Sequence, residues 1–397
     1  MRHAEQQRFF LILSASGGAG HIRAGDALLQ AASHSDLPIR AEHYDCLDFT
    51  SRAFKKLYAE SYLAMVNRIP ELWGYFYSKS ERRPYKKGVL SLFDHFNYRR
   101  YLKTLRALKP AAVLCTHFLP YVSISEKICA DGMDIPFFAV TTDFDVHQLW
   151  VDPSVRRYFV HHNESAWQLH AKGIPRDRIT VAGIPIMSEF GKRRSVLRSR
   201  RRMVIPSRNF TVLLLSGGFG VGRIERILDS VVDTLGSFAQ ASFNLIIVCG
   251  KNEKLRSNLG GRRFPTNIRP KLFGFVDNIH DLMDASDVLV SKSGGLTSAE
   301  AMAKRLPMII VDPIPGQETR NADIIVEHGA GFRAFDLPNL GYKLRRMLET
   351  PELLERARTA TRELAKPHAA ESILTDIVQS LTPDHRLKGR KYEDPYQ

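Results

Sequence analysis

At 397 residues the chain is longer than one ordinary core, so two domains are expected. Hydrophobic residues make up 44% and charged ones 25%, the balance of a soluble globular protein, and no run approaches the roughly eighteen consecutive apolar residues of a membrane span. A net charge of +15 calls for an anionic partner (nucleic acid, an anionic membrane surface or an acidic small substrate), while the four cysteines, Cys46, Cys115, Cys129 and Cys249, match no zinc or CxxC spacing. A cytosolic, reduced and metal-free protein is the economical expectation.

Residues 9–33 read as a strand (FFLILSAS), a glycine turn (GGAGH) and a helix (IRAGDALLQAA). The apolar run lacks a cleavage site, which makes it a first strand and not a signal peptide. A second strand at 38–44, followed by Asp45 and Asp48, completes a βαβ opening and implies a parallel sheet. Between Arg52 and Lys109 fourteen basic residues face four acids, with aromatic residues such as Tyr58, Trp73, Tyr75 and Tyr77 interleaved. That mixture suits rings dipped among anionic lipid headgroups, stacking on single-stranded nucleic acid, or an ordinary amphipathic excursion with inward aromatics. Strands at 111–115, 137–140, 158–160 and 179–181 then end in Thr116-His117, Thr141-Thr142-Asp143, His161-His162-Asn163 and Gly183-Ile184-Pro185. Polar residues at those ends lie on the sheet edge where open α/β folds bind ligands. Residues 191–206 carry seven Lys or Arg and no acid, and read as a solvated, mobile basic linker that could also touch a membrane.

A second α/β unit follows, with strands at 212–216, 244–249, 271–275 and 307–312, a loop at 313–321 and helices from 342 to 381. Its centre is VLVSKSGGLTSAE at 288–300. Val288, Leu289 and Val290 read as a buried parallel strand, and Ser293-Gly294-Gly295 turns into a helix. Two glycines let a backbone come close to a ligand, and the helix start offers unpaired N–H groups to a diphosphate. Glu300 lies on the first or second turn, placed to accept hydrogen bonds from ribose hydroxyls. The turn Gly218-x-Gly220-x-Gly222 is not a GxGxxG fingerprint, and NLIIVC ends in Gly250-Lys251 without the acid a dinucleotide site requires. No P-loop, nucleophile elbow or HExxH pair occurs.

Three stretches, SGGAGH (16–21), TTDFDVHQLWVDPSVRRYFV (141–160) and KSGGLTSAEAMAKRLPMIIVDPIPGQETRNA (292–322), carry a resemblance over about residues 9–365. The chain resembles the family of monogalactosyldiacylglycerol synthases and processive diacylglycerol glucosyltransferases, family 28. More distantly it is similar to the transferase that adds N-acetylglucosamine to the peptidoglycan lipid precursor. The resemblance implies an α/β fold of GT-B architecture, two Rossmann-like domains with parallel sheets facing a cleft, and inverting transfer from a UDP-sugar. It also implies site residues. Gly250, Lys251, Phe275 and Val276 would flank the uracil, Ser293, Gly294 and Gly295 would meet the diphosphate and Glu300 the ribose, with Gly218 and Thr297 also in the donor site. Gln317, Glu318 and Asn321 would read sugar hydroxyls and adjacent ribose or phosphate. His21 and Asp143 are the candidates for the base, with the choice between them open. Gly18, Trp73, Arg82, Arg83, Lys86, Lys87 and Trp150 would serve the acceptor and the membrane.

The expected organisation is therefore an acceptor and membrane-docking domain at 1–190, a basic linker at 191–206, a UDP-sugar domain at 207–366 and a polar tail at 382–397. A helix at about 367–381 is expected to pack back on the first domain. The expected reaction is transfer of glucose or galactose from UDP-hexose to 1,2-diacylglycerol, without metal or nucleic acid, on the inner face of the cell membrane and in contact with anionic lipids. The alternatives are another lipid acceptor such as a polyprenyl-linked intermediate, or a basic membrane- or nucleic-acid-binding protein with a degenerate nucleotide site.

Overall fold

The computed structural model of the chain describes residues 7–16, 18–51, 55–56, 74–75, 77, 79, 81, 100–122, 132–215 and 224–382. The first half contains β1 (Arg8–Ser14), α1 (Ala19–His34), β2 (Ile39–Asp45), β3 (Ala112–Cys115), β4 (Phe137–Val140), β5 (Val155–Val160), α2 (Asn163–Ala171) and β6 (Ile179–Val181). Its strands form one parallel sheet in the order β2-β1-β3-β4-β5-β6. After the linker helix α3 (Val196–Arg202), the second half runs β7 (Phe210–Leu215), α4 (Ile224–Gly236), β8 (Phe243–Val248), α5 (Glu253–Gly260), β9 (Ile268–Phe273), α6 (Ile279–Asp284) and β10 (Val288–Ser291). It continues with α7 (Gly295–Ala303), β11 (Met308–Ile310), α8 (Gln317–Glu327), β12 (Gly331–Arg333), α9 (Leu337–Glu349) and α10 (Pro351–Leu364). This sheet is also parallel, ordered β12-β11-β10-β7-β8-β9.

Both sheets are covered on two faces, which is why their central strands, such as AVLC of β3, FFAV of β4 and VLVS of β10, are near-continuous apolar runs. Leu11 and Leu13 of β1 face one core with Val113, Cys115 and Tyr158, whereas Phe10 and Ile12 face the other with Leu28 and Phe138. That second core is closed by α11 (Ala369–Ser380), whose Ile373, Leu374 and Ile377 are fully buried beneath the N-terminal sheet. The chain thus returns from the second domain to finish the first, and Arg157 Nη1 pairs with Asp376 Oδ1 at 2.6 Å to fix the return. Each of those three aliphatic side chains contributes roughly 1.5–3 kcal/mol through burial.

The strand orders decide where ligands go. Chain order reverses between β1 and β3 in the first sheet and between β7 and β10 in the second, and at such switch points a crevice opens beyond the carboxyl ends of the strands. The segments leaving β1 and β3 carry His21 and Thr116, and the segment leaving β10 carries Ser293-Gly294-Gly295.

Two expectations are corrected here. Residues 313–321 are not all loop: Gly316, in left-handed conformation at φ 92, ends the turn and α8 starts at Gln317, driven by burial of Ala322, Ile324 and Ile325 at helical spacing. Nor is the basic run 191–206 solvated throughout. In α3 the Arg200 side chain is buried, donating from Nε to Ala285 O (2.9 Å) and from Nη1 to Ser207 O (2.7 Å), and pairing with Asp287 (2.6 Å). Arg194 and Arg202 both pair with the buried Asp281. The acids that hold this segment down come from α6 and the approach to β10, far along the chain.

Candidate active site

His21 sits in the first turn of α1, with Gly18 as the helix N-cap in extended conformation and open space around it. His21 Nδ1 donates to the carbonyl oxygen of Thr116 at 2.8 Å and lies 2.9 Å from Thr142 Oγ1. A carbonyl only accepts, so Nδ1 bears the hydrogen and the neutral ring keeps its lone pair on Nε2. Its flank packs edge-on against His117, centroids 4.6 Å apart. Burial draws the His21 pKa below its ordinary value, against the upward pull of Asp143 and of the Thr116 hydrogen bond. Asp143 follows β4, and burial pushes its carboxyl up from the usual carboxylate range while Asn321 and His21 pull it down. The imidazole is therefore oriented by backbone, and Asp143 acts on it through charge.

On the other side of the seam, α7 begins with no side-chain cap at Gly294, leaving its first N–H groups available. Ser293 is buried, its hydroxyl donating to Glu318 O at 2.6 Å. The two glycines differ. A Cβ on Gly295 would stand 2.0 Å from Thr142 O and 3.0 Å from Asp143 Cα, whereas one on Gly294 would meet only Glu318 Oε1 at 3.5 Å. Gly295 is thus required by the close approach of the first domain's own backbone. Gly295→Ala should cost about 1–3 kcal/mol by overpacking against a carbonyl that cannot retreat, and Gly294→Ala much less, as paired thermal melts would register.

Asn321 on α8 joins the two halves. Its Nδ2 donates to Asp143 Oδ1 (2.9 Å) and Ser293 O (3.0 Å), and its Oδ1 accepts from Phe144 N (2.8 Å). Both ends of this fully buried amide are engaged by protein groups, so the residue expected to read a sugar holds Asp143 against the α7 turn. Next to it, Arg320 pairs with Asp145 at 2.5 Å and approaches Glu81 at 3.5 Å, and Glu81 also pairs with Lys172 and with His147 Nε2 (3.2 Å). Tyr77 completes the contact, since a Cβ on Gly316 would stand 2.8 Å from its ring. Arg320→Ala should cost about 2 kcal/mol, less than a fully buried pair because the guanidinium is about a third exposed, and a urea titration measures it. A third tie is Arg23 Nη2 to Glu300 Oε1 at 2.5 Å. Glu300 is almost completely buried, and burial lifts its carboxyl to about 7 although Arg23 pulls it down. Glu318, whose Oε2 accepts from Ile314 N at 2.7 Å, is likewise raised by burial to about 7.

The remaining candidates are more dispersed. Gly250 adopts φ 59 after β8, and Lys251 Nζ lies 5.6 Å from the ring centre of Phe275, which is 68% exposed. Val276 packs on the C-terminal core, and Thr297 and Gln317 are half-buried on the first turns of α7 and α8. Trp150 is corrected: expected on the acceptor or membrane surface, it is a core residue edge-on to Phe118, its carbonyl accepting from Tyr121 Oη at 2.8 Å. Gly218, Trp73, Arg82, Arg83, Lys86 and Lys87 lie outside the described residues. Sequence reasoning missed Arg23 and Arg320, whose partners lie across the seam, and put Thr116 and Thr142 at the ligand edge without the contact to His21 that the structure gives them.

Two parallel α/β units with their switch-point crevices on either side of a seam make the GT-B architecture. The family model for monogalactosyldiacylglycerol synthase matches residues 21–186, and that for the glycosyltransferase family 28 C-terminal domain matches residues 212–376. Relatives named processive diacylglycerol beta-glucosyltransferase, from Bacillus thuringiensis (strain Al Hakam) and Bacillus cereus (strain AH187), are each 29% identical over 385 residues, 94% of this chain and 95% of theirs. The chain belongs to this family of diacylglycerol glycosyltransferases and is a UDP-sugar-dependent glycosyltransferase. In fold it is similar to MurG of Acinetobacter baumannii (TM-score 0.63, 14% identity, 94% of this chain and 99% of that one). It is similar also to S. aureus MnaA solved with UDP (TM-score 0.62, 14% identity, 94% and 97%).

Proposed function

We propose that the chain transfers a hexose, glucose or galactose, from its UDP-sugar to 1,2-diacylglycerol at a membrane surface, with inversion at the anomeric carbon. The observation that carries this reading is the junction of Asp143 with the α7 turn. Asn321 bridges the carboxylate and Ser293 O, so the candidate base pair and the candidate diphosphate turn adjoin. The relatives' printed name favours diacylglycerol as acceptor and glucose as sugar.

In this mechanism the acceptor hydroxyl gives its proton to His21 Nε2 while its oxygen bonds to the anomeric carbon. The bond from that carbon to the β-phosphate oxygen breaks, and its electron pair leaves with UDP. The N–H groups at the start of α7 receive the growing charge on the diphosphate, so no metal is called for. Attack from the side of the first domain, opposite the leaving group, inverts the centre. Asp143 stabilises the imidazolium as it forms. Glu300 accepts from the ribose, releasing Arg23, and the exposed face of Phe275 is available to the uracil. Among the described residues no helix is long and apolar enough to cross a membrane. Peripheral attachment to anionic lipid on the inner face, without a nucleic-acid partner, belongs to the same proposal.

The test is transfer of label from UDP-glucose and UDP-galactose to diacylglycerol in vesicles containing anionic lipid. A labelled glycolipid from one donor identifies reaction and sugar together. No product from either donor, with UDP bound, would move the acceptor or sugar elsewhere.

A further inference from the structure

The linker helix α3 has an unexplained outer face. Its inner side is fastened by Arg200 and by the burial of Ser199. On the outer side Leu197 is 52% exposed and Val204, just past the helix, 79%. Leu197, Arg201 and Val204 follow at helical spacing, with Arg198 on the same flank. Val204 holds φ 54, a left-handed conformation that a β-branched side chain rarely adopts, and the Ile205 N–H bond to Arg200 O at 3.1 Å secures the turn. Two large aliphatic side chains are thus kept in water by a rigid support. Cations lie on and near the helix. Arg193, Arg198, Arg201, Arg305 and Arg362 form no ion pair among the described residues. Arg193, three residues before the helix, is drawn down by burial and by the charges of Arg305, Arg362 and Arg358, against the pull of Asp284.

We propose that this outer face of α3, with Leu197 and Val204 as apolar contacts and Arg198 and Arg201 as cations, docks on an anionic membrane surface. Aliphatic side chains flanked by guanidinium groups match the boundary between acyl chains and phosphates. Nucleic acid fits less well, because no aromatic ring stands on this face to stack a base. The proposal deepens the membrane-surface reading above and rests on it. It puts a point of attachment on the domain junction.

The experiment is flotation of the full chain with phosphatidylcholine vesicles, with and without phosphatidylglycerol. Arg198→Gln with Arg201→Gln should weaken binding to the phosphatidylglycerol vesicles about thirtyfold, a difference that added salt erases. Leu197→Ser with Val204→Gly should weaken it roughly tenfold, and glycine suits the left-handed backbone at 204, so the fold is retained. Calorimetric UDP binding at the wild-type level certifies both variants. Wild-type flotation by both would overturn the proposal, as would lost binding of a ribo-oligonucleotide with flotation unchanged. Sugar transfer to diacylglycerol in neutral detergent micelles is measured in parallel. Failure of transfer in the wild type would count against the catalytic reading alone and leave the flotation result standing.

Discussion

Replacing His21 with alanine should reduce sugar transfer by a factor of about 10³ while leaving UDP binding within a fewfold of the wild type. An alcohol is a poor nucleophile until its proton is leaving, and His21 offers the lone pair. The Thr116 carbonyl fixes the tautomer with hydrogen on Nδ1, and burial keeps the ring neutral by drawing its pKa down. The expected pH profile follows from that direction. A group whose pKa is lowered stays a base further into acid, so the acid limb should fall below the ordinary histidine value of 6.5. Asp143→Asn removes the charge that raises His21, so the limb should move further toward acid and the plateau rate should drop. UDP binding is expected to survive both changes because Glu300 and the α7 turn belong to the other domain. If His21→Ala kept transfer within tenfold of wild type, the assignment of the base would fail.

Much of this site can be read along the chain because its parts are local. Val288, Leu289 and Val290 are aliphatic on both faces, two glycines follow, and the strand, turn and helix of β10 and α7 appear where that pattern puts them. The β1 to α1 turn carrying His21 is legible for the same reason. What cannot be read is how the halves meet. Arg23 and Glu300 are 277 residues apart, and Asp143 and Asn321 178 apart, with no periodicity to link them. Trp150 shows the limit from another side. An aromatic residue near polar neighbours fits a surface as well as a core, and Phe118 and Tyr121, thirty residues earlier, decide for the core. The linker arginines look solvated along the chain because Asp281 and Asp287, which hold three of them, lie in the second domain.

Glu300→Gln should make the protein more stable above neutral pH and at the same time weaken its hold on the donor at least tenfold. A carboxyl raised from 4.5 to about 7 favours the folded state only while protonated. That contribution is complete below pH 4.5 and disappears as pH rises through about 7. The displacement corresponds to about 3 kcal/mol at most, since one unit is about 1.4 kcal/mol. At pH 8 the buried carboxylate is charged with only Arg23 beside it, and glutamine relieves most of this cost, because the freed Arg23 side chain is 40% exposed and remains hydrated. Urea titrations should therefore show the variant more stable than wild type at pH 8 and the difference shrinking toward pH 5. The same change replaces a charged acceptor for the ribose hydroxyls with a neutral amide, and charged hydrogen bonds are about twice as strong as neutral ones. The Michaelis constant for the UDP-sugar should rise at least tenfold, most clearly at pH 8 where wild-type Glu300 is ionised. A stability difference from wild type that is the same at pH 8 and pH 5 would mean that Glu300 is not buried as a charge. A variant stabilised at pH 8 with donor affinity unchanged would remove Glu300 from the ribose site and leave it as a strained partner of Arg23 across the seam.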